Sequence, residues 1–394
     1  MFQLKYLPKS VESYLQQFKG HFRCAQGRHF VIFCWLLVGL IVDQGKGKVK
    51  GLSAIVPETI KYWAMMRMIR SGLWDSVALV NDMAMQTLLI LPPPIDGILY
   101  LIGDSTLKGK RGKKHPLGFK TRINDYAKYT FGFEIVLLVA NWGKYRVPVA
   151  IGVVSPKRKG HPNILFRNML REFVPPSWAK KVIVLGDAGF AAKKTFRLIA
   201  RKKYDYVFAV SRTRKFENGK HLADLVRYLP KKFYHRMASY KPDGRRKDYW
   251  VYSKRESLKD LGDVTVVLSK RRRNDGPRKA KIIVTNLAGA SVSEILTIYT
   301  RRWGVELTIK ELKGALHLGQ MQVTSDGGRV ARSVALSVLA YLLLLHQYGQ
   351  DKSLHKEFSI FKLKQKFTAE ILQEQLLRSK QHWQRKLERF RLAA

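Results

Sequence analysis

The apolar positions of this chain fall into two regimes, and the change between them lies near residue 95. Before it the pattern is helical. Residues Phe30 to Val42, FVIFCWLLVGLIV, are apolar throughout, but a bilayer span needs about 20 such residues, so the run predicts a buried helix. It lies too far from the start, and lacks the small-residue cleavage site, to read as a signal peptide. The segment PETIKYWAMMRMIRSG has Pro57 near a helix start, apolar spacing inside and Gly72 near its end. These features predict a helical N-terminal region over 1–95, either a DNA-contact or dimerisation module or a simple bundle. LPPPIDG, from Leu91, breaks the pattern and marks a boundary.

After the boundary the period changes to that of strands. ILYLIGD (Ile98 to Asp104), FEIVLLVANW and YRVPVAIGVVS are β-rich, the last two joined as a hairpin by a glycine-containing turn. A helical stretch, NILFRNMLREF, precedes Pro175 and Pro176. The short strand KVIVLGD then ends in Asp187, followed by the amphipathic AAKKTFRLIARKK and the strand YDYVFAVS. From Arg212 to Asn286 short strands such as DYWVYS, DVTVVLS and KIIVTN alternate with strongly basic loops. A long helix begins near Ser291, and the remainder reads as helical. The expected organisation is a core in two parts, 96–211 and 287–325, a β-rich insertion over 212–286, and helical regions over 1–95 and 326–394.

Charge narrows the functional classes. The 394 residues hold 73 Lys and Arg against 29 Asp and Glu, a formal charge of +44, which exceeds what solubility needs and points to a polyanionic partner. Residues 1–95 carry 11 basic and 5 acidic groups and 317–394 carry 13 and 6, so about +31 falls in 96–316. The charge belongs to the middle of the chain and not to a tail. A hydrophobic content of 46% with eight Trp argues for sizeable cores and against disorder or a ribosomal-type basic protein. Cys24 and Cys34 offer neither a disulfide framework nor a zinc cluster, which fits a reducing cytoplasm.

The segment YTRRWGVELTIKELKG, Tyr299 to Gly314, gathers charge on one face. With Tyr299 at zero on a helical wheel, Arg302, Glu306 and Lys313 fall at about 300°, 340° and 320°, whereas Lys310 and Glu311 fall at about 20° and 120°. Glu311 and Lys310 then read as ordinary helix charges. Alone, this helix is better described by a surface Arg–Glu pair. Two aspartates at strand ends, Asp104 and Asp187, change that balance. Three acids in a strongly positive protein suit hard cations such as Mg²⁺, which take oxygen ligands together with substrate phosphate. Two such ions about 4 Å apart serve an in-line displacement at phosphorus. His115 and His317 receive no catalytic role, GDAGF is too poor in glycine for a nucleotide loop, and no Walker pattern predicts a use of ATP.

The order strand-Asp, hairpin, helix, strand-Asp, β-rich insertion, helix-Glu resembles the RNase H-like fold of DDE transposases and retroviral integrases. The spacing of Tyr299, Arg302, Glu306 and Lys313 is similar to the Y-x2-R-x3-E-x6-K signature of insertion-sequence transposases. GDSTLKGKRGKKHP around Asp104 and VLGDAGF around Asp187 are similar to the same family's two Asp motifs. The resemblance covers residues 96 to 316. It implies an α/β fold, an RNase H-like core with a mixed five-stranded sheet, interrupted by the insertion and flanked by helical regions. It further implies Asp104, Asp187 and Glu306 as catalytic metal ligands for two Mg²⁺ ions, with Mn²⁺ able to substitute. Tyr299, Arg302 and Lys313 would contact double-stranded DNA near the cleaved phosphate, and Trp250 would stack on a flipped base. The basic loops with Lys108, Lys110 and Arg111, and with Arg271, Arg272 and Arg273, are candidate backbone clamps that position DNA without reading its sequence. The implied protein cleaves element ends, joins 3′-OH ends to target DNA, acts as a homodimer on DNA in the bacterial nucleoid, and frees the second strand through a hairpin. A domesticated DNA-binding relative and a metal-dependent nuclease of the same fold are the other readings.

Overall fold

Local chemistry starts one of the first five helices. Asp75 accepts hydrogen bonds from the amides of Val77 and Ala78 and so caps the helix that follows it. The computed structural model describes residues 7–23, 27–45, 47–53, 56–57, 59–110, 115–122, 129–155, 161–241, 244–321, 327–349 and 359–393. In chain order, helices α1 (Lys9–Gln16), α2 (Arg28–Val42), α3 (Val49–Leu52), α4 (Tyr62–Ser71) and α5 (Ser76–Ile90) come first. Strands β1 (Ile98–Gly109), β2 (Phe119–Arg122), β3 (Tyr129–Trp142) and β4 (Tyr145–Val153) follow, then α6 (Pro162–Glu172), β5 (Lys181–Gly186), α7 (Lys193–Arg201) and β6 (Asp205–Ala209). Next are α8 (Leu222–Tyr228), β7 (His235–Tyr240), β8 (Arg246–Leu258), β9 (Gly262–Lys270) and β10 (Lys281–Thr285). The chain ends with α9 (Val292–Thr300), α10 (Trp303–Ala315), α11 (Gly327–Tyr348) and α12 (Ile360–Ala393). These elements form two compact units: Met1–Pro92 with Lys110–Gly132 and Lys310–Ala394, and Pro93–Gly109 with Phe133–Ile309.

The first unit is mainly helical. Helix α2 is buried on nearly every side, as its uninterrupted apolar run requires, and α11 packs against α2, α4, α5 and α12. Among the described residues α11 alone is long and apolar enough to cross a membrane, yet 83% of that stretch is buried inside the structure, which is the environment of a core helix. A polar cluster is sealed in the same unit. The Asp43 carboxylate accepts the amides of Gly45 (3.1 Å) and Gly47 (2.8 Å), and His317 Nε2 lies 3.4 Å from Asp43 Oδ2. Lys364 Nζ donates to the carbonyls of Asp43 (2.7 Å) and Ala315 (2.9 Å). Burial, and secondarily Lys364, hold the His317 pKa below its ordinary value. Glu311 is also sealed here: it is buried and accepts the Tyr341 hydroxyl at 2.8 Å. The expectation of an ordinary helix charge is corrected, because the helix face opposite Glu306 is an inner one.

The second unit is built on a mixed sheet in the order β4-β3-β1-β5-β6-β10-β9-β8-β7. Strands β1, β5 and β6 are parallel; β10 runs antiparallel to β6, and β7 to β10 form an antiparallel meander. The insertion strands therefore continue the core sheet edge to edge, with β10 closing what would be an open β6 edge. A further short strand, β2, pairs with the first residues of β3 within the first unit. Two sequence expectations change. Strand β1 runs on to Gly109, so Asp104 sits within it and not at its end. The helix expected from Ser291 is two: α9 starts at a reciprocal Ser291–Glu294 cap, and a turn at Arg301 and Arg302 separates it from α10. Amides of Arg302, Gly304 and Val305 bond three residues back across that turn, which tightens the backbone there.

Candidate active site

Each aspartate is preceded by a glycine, and the structure supplies the reason. A Cβ on Gly103 would lie 2.2 Å from the Phe166 ring, and one on Gly186 would lie 2.3 Å from the Phe208 ring. Aromatic side chains pack directly on the backbone beneath both acids, which only glycine permits. The parallel register pairs Ile102 with Leu185; carried two residues further, it sets Asp104 level with Asp187 on neighbouring strands. Neighbouring strands lie about 4.8 Å apart, so the two carboxylates share one end of the paired segment.

Arg302, at the turn before α10, joins this pair to the third acid. Its Nη1 lies 3.4 Å from Asp104 Oδ2, and its Nη2 is ion-paired with Glu306 Oε1. The Arg302 and Asp104 side chains are 16% and 18% exposed and Glu306 30%, so the group is recessed but open. Burial pushes the Asp104 pKa up to about 6; the Ser105 amide and Arg302 work against this, while the charges of Asp187 and Glu306 add to it. Asp104 thus feels both of the other acids. Arg302 is held above its ordinary value: burial opposes its charge, and Tyr299, Glu306 and Asp104 outweigh that. Burial raises buried Tyr299 to about 12, so its hydroxyl keeps its proton.

The donors fit a hard divalent cation. All are carboxylate oxygens, and a cationic guanidinium already lies between Asp104 and Glu306, where positive charge relieves their mutual repulsion. Among the described residues no three His, Cys, Asp or Glu groups stand close enough to ligate one ion as they are placed; Arg302 holds the space between two of them.

The other expected residues distribute differently. Lys313 lies on α10, in the stretch that belongs to the helical unit. Lys108 is on β1, its pKa lowered by burial. Lys110 donates to the carbonyls of Gly319 (2.9 Å) and Met321 (3.1 Å). Arg111 falls outside the described residues. Trp250, on β8, is half-buried with the Arg273 guanidinium 5.1 Å over its ring; Arg271 lies 6.0 Å over Tyr249 and Lys270 4.1 Å over Tyr234. Arg272 lies in the turn beside them, its amide held by Asp275. One residue near the acids had no individual sequence signal. Lys281, the first residue of β10, places Nζ 5.2 Å over the Tyr299 ring. Its pKa is lowered by burial and by Arg302, against the pull of Glu306 and Asp187. Only the pairing of β10 with β6 could have found it, because it sat at the end of a basic run that read as a loop.

Recessed carboxylates on a mixed sheet of this order suit the class of enzymes that act on phosphodiesters. The family model of the transposase DDE domain matches residues 101–343, and the chain belongs to that family. Its activity is accordingly that of a DNA transposase, cleaving and joining DNA, in a family that uses divalent metal ions. No curated protein matches the sequence. Among solved structures the chain is similar to a piggyBac transposase in a synaptic complex with hairpin DNA. That match has 14% identity and a TM-score of 0.49, over 96% of this chain and 80% of that one.

Proposed function

We propose that this transposase cuts DNA at the ends of its element and joins the freed 3′-OH ends to target DNA, with Asp104, Asp187 and Glu306 as its metal-binding catalytic triad. The observation that carries the reading is the meeting of Asp104 and Glu306 on Arg302, with Asp187 near enough to raise Asp104. The three carboxylates hold Mg²⁺, two ions in this reading, with Mn²⁺ able to substitute. When bound, the ions supply the positive charge that activates the attacking oxygen and stabilises the leaving one.

The chain's own groups do the remaining work. Asp104 and Glu306 share Arg302 as a counter-cation, which offsets part of the repulsion between two crowded carboxylates. Arg302, Tyr299 and Lys313 contact the DNA beside the cleaved phosphate, Tyr299 through a protonated hydroxyl that can donate. Trp250 takes a flipped base, and Lys108, Arg111, Arg271, Arg272 and Arg273 hold the backbone. Lys110 belongs to the same basic loop, although its ammonium is engaged with carbonyls. Residues 1–95 serve DNA binding and dimerisation, 212–286 form the insertion that brings Trp250, and the enzyme works as a homodimer on DNA, without ATP, through a hairpin at the second strand.

The test is cleavage of element-end DNA with Mg²⁺ by the parent protein beside Glu306→Gln. The parent is expected to cut and join, and the variant to lose about 10³-fold in rate, the scale of several kcal/mol of lost charge stabilisation. Equal cutting by the two proteins rules out the triad. Cut ends that are never joined to target DNA place the chain with nucleases.

A further inference from the structure

Downstream of Asp187 the chain passes through Ala191 and Ala192 into α7, and these residues form one wall of a cavity of about 360 Å³. Lys193, Arg214, Lys215 and Lys259 line the cavity, and Asp260 is the one acid among the lining residues. Arg214 is anchored by Nη2 on the Ala191 carbonyl at 2.5 Å and lies over the Phe196 ring. Its Nε is buried without a hydrogen-bond partner, an unused charged donor of a kind that is costly to leave unpaired. Ala192, the residue before α7, has no side-chain acceptor for the helix's first amides, so the positive end of the helix dipole also faces this region uncapped.

The one acid is held in an unusual way. Asp260 sits in the β8–β9 turn with φ +73, in the left-handed region, and is ion-paired with Lys193. The Lys193 hydrogen bond, followed by the charges of Lys193, Arg197 and Lys259, keeps its carboxyl below the usual range against the effect of burial. A single exposed Lys–Asp pair contributes little and needs no such surroundings. Four cations around one carboxylate amount to an anion site already occupied by an internal anion.

We propose that this cavity is a phosphate subsite for the DNA backbone, in which the Asp260 carboxylate stands on Lys193 until a DNA phosphodiester displaces it. The inference rests on the reading of this chain as an enzyme of DNA ends, and adds to it a second place where the strand is held, on the loop that carries Asp187. The exchange needs no bond making: phosphate oxygens take up Lys193 Nζ, with Lys215 and Lys259 beside it, while Asp260 turns to water. Release of counterions from the DNA favours the exchange at low salt.

The test is binding of a labelled element-end duplex by anisotropy in the absence of divalent ions, so that nothing is cut. Asp260→Asn is expected to bind about fivefold tighter than the parent at low salt, a gain that misfolding cannot produce. Asp263→Asn removes the same charge from the same hairpin and is expected to leave affinity within about twofold. Lys215→Ala with Lys259→Ala should reduce the slope of log affinity against log salt by about 0.9, the loss of one phosphate contact. Equal effects of the two aspartate variants, or an unchanged slope, overturn the proposal. Calorimetry with inorganic phosphate separates the sources: phosphate binding that the lysine variant loses, with DNA affinity unchanged, marks a free-anion site and overturns the DNA assignment. Glu306→Gln should show the same Asp260→Asn gain, so a failure of the triad and a failure of this subsite are read separately.

Discussion

The polar cluster of the helical unit and the acids of the sheet unit use the same residue types to opposite ends. Asp43 is the more fully engaged: two backbone amides reach its carboxylate, His317 stands beside it, and Lys364 takes its backbone carbonyl. The Asp104 carboxylate has one amide and a long contact to Arg302, and among the described residues the Asp187 carboxylate accepts a single hydrogen bond, from the Gly189 amide. A buried carboxylate held by backbone amides is a structural element. Carboxylates that stay under-coordinated while crowding one another have capacity left for a ligand.

The largest expected effect breaks this comparison if it fails. Asp187→Asn should abolish cleavage by about 10³-fold while leaving the urea midpoint in place. Asp43→Ala should do the reverse, costing about 2–4 kcal/mol of stability through stranded amides, with cleavage per folded molecule unchanged. Urea melts and single-turnover assays on both variants decide it; a stable but inactive Asp43→Ala protein would put a catalytic role in the helical cluster. Next in size are the glycines beneath the acids. Gly103→Ala and Gly186→Ala should each cost about 1–3 kcal/mol by overpacking Phe166 and Phe208, and a second change that shortens the facing phenylalanine should return part of it.

The pH dependence of stability is of similar or smaller size. Asp104 titrates at about 6 in the folded chain, above its ordinary value. A raised acid favours the folded state most where it is protonated, so this contribution is complete below about pH 4 and is lost as pH rises through about 6. The parent should therefore lose about 1–3 kcal/mol across that window relative to Asp104→Asn, in thermal melts without divalent ions. Adding Mg²⁺ should restore the parent and not the variant. The smallest effect is expected at Asp248, which meets Arg236 and Arg246 in the open; Asp248→Asn should leave the melting temperature unchanged, because solvent-exposed pairs contribute little.

Much of this was legible in the sequence wherever the signal is local. The strand periods, the two Gly-Asp pairs and the spacing from Tyr299 to Lys313 all sit within short windows, and they carried the fold class and the resemblance to the family. The helix wheel placed Glu306 and Arg302 on one face correctly, since an ion pair four residues apart needs only a helix. It missed the turn at Arg301 and Arg302, where three-residue hydrogen bonds interrupt the regular period. It also misread Glu311, whose partner Tyr341 comes 30 residues later.

Residue types and spacing in the chain alone determined that this is a basic, α/β, acid-bearing transposase. Only the tertiary structure decided that Asp104 lies inside a strand, that the insertion continues the core sheet, and that Arg302 stands between two acids. It alone also decided that Lys281 covers Tyr299 and that Asp260 fills a cationic cavity. The physical reason is distance along the chain. Periodicity and capping are set by neighbours a few residues apart, whereas the Asp104 contact spans 198 positions to Arg302 and depends on sheet pairing that no local pattern encodes.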